Sequence, residues 1–294
     1  KKVYEIIQKK FVDQIQKVID GETNLLPWQK PWKGSPPRNY DTGRRYSGIN
    51  LFLLDGGEWL TFNQIKKHSE KNPDVKLRKG SKGSMIVFWK MAEKKDSTKE
   101  KKEYYPMLRY YYVYNVSDVN GLESKLPPGG NSDPLIEEAE KVVKEYIERT
   151  NLDLDTVKGS RKAYYQPASD RVVLPAKEDF HSGDHYYQTL FHELSHSTGV
   201  EGRCNRFKRD DSVLFGSEVY SKEELVAELS SQMLMGMLNI QNAAVEENSL
   251  SYAYGWMKAI KEDARLIVSA SAQAQKACDY ILGGDSDEEP ETDE

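Results

Sequence analysis

The stretch Phe191-His192-Glu193-Leu194-Ser195-His196 constrains this chain more than any other. An α-helix places residues i and i+4 on one face, so the pattern predicts a helix that aims two imidazoles at a single point. That H-E-x-x-H spacing suits one Zn²⁺ held by His192 and His196, with Glu193 beside them as the general base toward water. A plain helix with two satisfied histidines is the competing reading. The chain has only five histidines in 294 residues, which makes this spacing hard to reach by accident.

A catalytic zinc takes three protein ligands and keeps one position open. A third histidine six residues after His196 would mark one subclass, but that position is Gly202, so the subclass is excluded. His181 and His185, at the entry to the helix, are alternative ligands but read better as surface residues near a domain edge. The better candidate lies in Glu223-Glu224-Leu-Val-Ala-Glu228. Glu224 and Glu228 share a helix face, with Leu225, Val226 and Leu229 toward the core. Glu224 is the favoured third ligand and Glu228 the alternative; the other of the pair would accept the proton of a ligand histidine. Glu223 reads as an exposed, charged start to this helix. Tyr252, Tyr254 or a hairpin residue could supply a donor for a developing oxyanion.

Around the motif, periodicity predicts an α+β chain in two parts. Residues 1–125 form a small mixed N-terminal domain, 126–133 a Pro- and Gly-rich linker, 134–284 a second α+β domain with a hairpin and the histidine helix, and 285–294 a disordered tail holding seven acids. Helices are expected from about Val3 to Ile19, Gly48 to Leu54, Thr61 to Glu70 and Pro134 to Arg149. Paired strands are expected over Ser84–Lys90 and Met107–Asn115, separated by a charged insert at 93–103. A hairpin joins Ala163–Gln166 to Arg171–Pro175. The histidine helix runs His185–Thr198, closed by Gly199 in the left-handed cap position. A second helix, Lys222–Leu238, starts at Ser221 as N-cap with Glu224 three residues on. Ser249–Leu282 is helical, in one or two pieces.

Charge divides the chain in the same place. Residues 1–130 hold 25 Lys and Arg against 15 Asp and Glu, while the remainder holds 17 against 32. Four of the five tryptophans also fall in the first part. Cations that track a backbone, with aromatic faces for bases, are what sequence-tolerant single-strand binding requires. The expected DNA-binding residues are Trp28, Lys30, Trp32, Arg44, Arg45, Lys66, Arg78, Lys79, Lys82 and Trp89; the competing reading is a solvated basic face with the tryptophans in the core. No helix-turn-helix, zinc-finger or RNA-recognition signature supports base-specific reading. Cys204 and Cys278 have no ligand spacing and make no disulfide framework, which suits reduced thiols in the cytoplasm. No apolar run reaches the ~18 residues a membrane span needs, so no membrane partner is expected.

Together the motifs resemble the ArdC-type antirestriction proteins of conjugative plasmids and mobile elements. The first part carries the resemblance on Leu26-Pro-Trp-Gln-Lys-Pro-Trp32, Thr42-Gly-Arg-Arg-Tyr-Ser-Gly-Ile-Asn50, Trp59-Leu-Thr-Phe-Asn-Gln64, Lys79-Gly-Ser-Lys-Gly83 and Tyr112-Val-Tyr-Asn-Val116. The second carries it on Tyr165-Gln-Pro-Ala-Ser-Asp-Arg171, Leu190 to Gly199 and Glu223 to Glu228. The resemblance implies a single-stranded-DNA-binding domain joined to a zincin-like, gluzincin-type metallopeptidase, with zinc on His192, His196 and Glu224 and Glu193 as the catalytic acid. It also implies protection of incoming DNA from host restriction machinery and action on a protein or peptide substrate. Three other functions fit the same residues: a non-proteolytic, DNA-coating inhibitor with a structural zinc, a repair peptidase acting on DNA–protein crosslinks, and a regulatory peptidase that cleaves one preferred repressor.

Overall fold

The computed structural model describes residues 2–29, 32, 35–93, 104–126, 136–208, 218–240 and 247–284. The expected linker beyond residue 126, the charged insert 94–103 and the acidic tail 285–294 lie outside these residues.

Helix α1 (Lys2–Ile19) buries Ile7, Phe11, Ile15 and Val18, spaced so that one face is apolar. After β1 (Arg38–Asn39) and the short α2 (Ile49–Leu53), β2 (Glu58–Thr61) leads directly into α3 (Phe62–Lys71). Thr61 caps α3 from both sides: its hydroxyl accepts from the Gln64 backbone, and the Gln64 side chain accepts from the Thr61 N–H. Next come β3 (Lys76–Leu77), the long hairpin strands β4 (Ser84–Glu93) and β5 (Tyr104–Asn115), and β6 (Val119–Asn120). The main sheet has the order β1-β2-β5-β4, with β4 at its edge. In the hairpin Met85 faces Tyr112, and Val87 faces Tyr110.

The second part opens with α4 (Ile136–Thr150), followed by β7 (Asp153–Val157), β8 (Tyr164–Gln166) and β9 (Arg171–Pro175). The expected hairpin is β8-β9. Strand β7, parallel to β9, leaves little trace in the sequence, because Asp-Leu-Asp-Thr-Val holds only two strongly apolar residues. Helix α5 (Gly183–Ser197) starts at Ser182, whose hydroxyl accepts from the His185 N–H. Helices α6 (Glu218–Met237), α7 (Glu247–Glu262) and α8 (Leu266–Leu282) complete the chain. The C-terminal helical stretch is therefore two pieces.

Two local expectations are corrected. Helix α6 begins at Glu218, so Ser221 lies inside it and cannot be its N-cap. Gly199 is not among the positive-φ glycines. It is required by close approach instead: a Cβ there would stand 2.1 Å from the Phe207 ring.

Helix α6 packs against α5 on one side and α8 on another, and Leu225 to Met235 are buried without a break. The largest core cluster joins both parts of the chain, from Phe11 and Trp28 to Leu229, Trp256 and Ile260. Trp28 stacks on Phe11 with centroids 6.4 Å apart and meets Trp256 edge-on at 5.5 Å. Trp32 is 6% exposed, and its ring occupies the space a Cβ on Gly236 of α6 would need, at 1.9 Å. Trp28 and Trp32 thus pack against α7 and α6, and α6 carries the acidic motif.

Candidate metal centre

Helix α5 presents His192 and His196 one turn apart, and α6 lies alongside with Glu224 facing them. The two Nε2 atoms are 3.2 Å apart. Glu224 Oε2 is 3.4 Å from His192 Nε2, and Glu224 Oε1 is 3.3 Å from His196 Nε2. Ligands about 2.0–2.2 Å from one tetrahedral ion stand about 3.3–3.6 Å from each other. The ring nitrogens, 3.2 Å apart, and the two Glu224 oxygens, 3.3 and 3.4 Å from them, stand close to that edge length, so the donor set suits a small divalent ion. Among the described residues, His192, His196 and Glu224 form the group able to hold a metal. Glu193 is buried on the same helix, close enough for its charge to act on His192.

Each histidine turns its other nitrogen to a further carboxylate. His196 Nδ1 lies 3.3 Å from Glu223 Oε1, and His192 Nδ1 lies 3.8 Å from Glu228 Oε2. A carboxylate in that place fixes the ring's orientation and tautomer and raises its basicity. Glu228, expected as the acceptor of a ligand-histidine proton, is the carboxylate beside His192. Glu223 is not the exposed helix start expected of it: its side chain is 11% exposed and gripped by Arg206. Arg206 Nε donates to Oε2 at 2.8 Å and Nη2 to Oε1 at 2.7 Å, a bidentate pair. The same guanidinium donates to the Ser195 carbonyl and to Thr198 Oγ1 at the end of α5, where a cation suits the helix dipole.

Neither Arg206 nor the role of Glu223 was visible in the sequence. Glu223 lies about 100° round the helix from Glu224, off the face defined by Glu224 and Glu228. Arg206 comes from the loop after α5, which carries no periodicity. The usable signal was chemical: a ligand histidine needs a partner for its outward nitrogen.

The cluster is electrostatically poised. Burial opposes charge on His196, but Glu223 and Glu224 outweigh it and hold its pKa up at about 9. Burial likewise opposes charge on His192, and Glu224 and Glu228 raise it well above the ordinary value. Burial would raise the Glu224 carboxyl, yet the two histidines keep it far below the usual carboxylate range. For His196 the folded value exceeds the unfolded one, so its contribution to stability is complete below pH ~6.5 and is lost as pH rises to about 9. Urea titrations of metal-free protein should show stability falling across that window, on the order of 3 kcal/mol. Metal binding, which needs neutral imidazoles, should tighten over the same rise.

The other expected site residues fall elsewhere. His181 and His185 sit at the start of α5, where Ser182 Oγ meets His185 Nδ1 at 2.8 Å. Tyr252 and Tyr254 are exposed on α7, with Tyr252 tilted over Trp256. Trp28 and Trp32 are buried at 1% and 6% exposure, so they are corrected from base-stacking surfaces to core residues. Both bury more apolar area by packing between α1, α6 and α7 than a surface loop would allow. Trp89 is exposed on β4, and Arg44, Arg45, Lys66, Arg78, Lys79 and Lys82 are also exposed. Lys30 lies outside the described residues. The exposed rings of the first part are chiefly ones the sequence reading passed over: Phe62, Tyr104, Tyr105, Tyr110 and Tyr112.

Several known proteins resemble this chain. Residues 1–114 match the family described as the N-terminal domain of anti-restriction factor ArdC. Residues 141–273 match the family described as zincin-like metallopeptidase. Two proteins from Escherichia coli called DNA primase TraC are 30% and 32% identical to it, over 96% and 94% of this chain. The chain spans only 20% and 27% of their length. The protein y4eC of Sinorhizobium fredii is 28% identical over 97% of this chain and 93% of its own. Among solved structures, the metal-free antirestriction ArdC protein from R388 plasmid superposes with a TM-score of 0.73 at 29% identity, covering 95% of this chain and 96% of that one. Its Mn(II)-bound structure superposes at 0.71 and 28% identity, covering 95% and 97%. With both domain families in this order and that likeness running along nearly its whole length, the chain belongs to the ArdC-type antirestriction family, an ArdC N-terminal domain followed by a zincin-like metallopeptidase domain.

Proposed function

We propose that this protein is a zinc-type metallopeptidase that binds single-stranded DNA through its first part and hydrolyses a protein or peptide bond at the cluster on α5 and α6. The observation that carries the reading is the convergence of His192, His196 and Glu224 at tetrahedral spacing with Glu193 beside them. A divalent ion held there supplies a Lewis acid and lowers the pKa of water toward neutrality. His192, His196 and Glu224 hold it, and Glu223 and Glu228 keep the two rings turned inward. The Glu193 carboxylate takes the proton of the attacking water and returns it to the amide nitrogen of the leaving strand. Hydrolysis of a quenched fluorescent protein substrate by metal-loaded protein, abolished by a chelator and restored by metal, is the expected result. Tight metal binding with no hydrolysis of any substrate, with or without DNA, would leave the cluster a structural site.

Support for the DNA reading lies on one face of the β4-β5 hairpin. Tyr110 and Tyr112 meet edge-on at 5.9 Å, and Tyr114 continues the row to Phe62 at 6.5 Å. Tyr112 and Phe62 are more than half exposed, unusual for such large rings unless they serve a surface role. The basic loop that carries Arg78, Lys79 and Lys82 runs in beside them, with Gly83 so close that a Cβ would stand 2.9 Å from Tyr112. Lys66 follows Phe62 by one helical turn. Rings for bases and cations for phosphates thus share a surface.

Anisotropy titration of a labelled single strand gives the check. Tyr112→Ala should weaken binding by about 1–3 kcal/mol. Lys82→Ala should lower the log–log salt slope by about one. A flat salt response in the parent protein, or full affinity in Tyr112→Ala, would remove this face from the reading. Protection of transferred DNA from host restriction machinery follows as the biological role, with DNA binding concentrating the peptidase beside DNA-associated proteins.

A further inference from the structure

We infer that Trp28, from the N-terminal part, is a positioning residue of the metal centre, so that the centre is completed by a side chain outside the metallopeptidase-family region. The inference rests on the metal-binding reading above. Trp28 Nε1 donates to Glu228 Oε1 at 3.3 Å, a buried hydrogen bond across 200 residues of sequence. Gln232 Nε2, one turn along α6, donates to the same oxygen at 3.2 Å. With Oε1 engaged by two donors, Oε2 is the atom turned to His192 Nδ1. An indole N–H can only donate, and the Glu228 carboxylate supplies the acceptor it needs.

Packing makes the connection stiff. The Trp28 ring lies between Phe11 of α1 and Trp256 of α7, and α1 is tied to α7 by Gln8, whose Nε2 donates to the Ile260 and Lys261 carbonyls. The zincin-like match covers residues 141–273, so α1 and Trp28 both fall outside it. A carboxylate that orients a ligand histidine typically changes metal affinity 10–100-fold when lost. Removing the donor that aims Glu228 should give a loss near the lower end of that range.

The test is zinc affinity of the full chain, measured by competition with a chromophoric chelator. Trp28→Phe keeps an aromatic ring and removes the N–H; about tenfold weaker zinc binding is expected. Glu228→Gln should also weaken binding, and the double variant should be no worse than Glu228→Gln alone, because both changes act through one carboxylate. Ile65→Ala, in the separate core cluster with Leu60 and Val75, is the stability control: it should lower Tm while leaving zinc affinity unchanged. Parental affinity in folded Trp28→Phe would overturn the inference. So would losses that add in the double variant, or an equal loss in Ile65→Ala. A parent chain that binds no zinc would instead overturn the metal-site reading on which the inference stands.

Discussion

Replacing Glu193 with Gln is expected to abolish peptide hydrolysis while leaving the metal in place. Positioned proton transfer contributes about 10²–10⁴-fold to such reactions, and Gln keeps the side chain's shape while losing its basicity. Glu193 is buried on the helix that holds both histidines, and it is not one of the three converging donors. Metal content after dialysis should therefore equal that of the parent, with kcat reduced at least about 10²-fold. Full hydrolysis in the variant would place the base elsewhere. The same variant separates two biological roles. If it still protects DNA from a restriction enzyme while hydrolysis is gone, DNA coating is the protective act. If protection is lost with hydrolysis, the peptidase is the effector.

The second large effect concerns stability. Arg206→Ala leaves the Glu223 carboxylate buried with only His196 for company. Both partners are nearly inaccessible, at 6% and 11% side-chain exposure, so water cannot replace the lost guanidinium. Breaking a buried pair from one side costs about 3–5 kcal/mol. For a chain of this size that should lower Tm by roughly 10 °C. Arg206 and Glu223 hold each other's pKa values apart, the arginine raised and the glutamate lowered against burial that opposes both charges. Arg206→Lys should recover part of the loss, because an ammonium restores the charge but not the two-pronged geometry. Calorimetry on metal-free protein gives the direct comparison. A shift below 2 °C in Arg206→Ala, which converts to less than about 1 kcal/mol, would show that the pair adds little beyond its desolvation cost.

Much of this architecture is local and therefore visible in the chain. The spacing of His192 and His196 requires a helix to bring them together, and a helix is present. The apolar rows of α1 and α4, the Thr61 capping box and the β4-β5 alternation each depend on contacts within a few residues, so periodicity exposes them. Glu224 and Glu228 were legible for the same reason, as an i,i+4 pair on one helix face. The divalent-ion character of the centre also follows from residue type and spacing alone.

Tertiary packing decided the rest. Glu223 became a histidine partner only because the loop after α5 returns Arg206 to the crossing of α5 and α6, a contact with no signature in either segment. Trp28 and Trp32 looked like surface rings among lysines, since composition cannot tell which aromatics the core will take. Burial of large rings favours whichever fit the gaps left by α1, α6 and α7. The rings left outside were instead Tyr110 and Tyr112 on β5, 41% and 51% exposed. Sequence spacing specifies which side chains one helix can aim together. Which distant side chain holds them there is settled by how the helices cross, because that contact closes only after long-range packing.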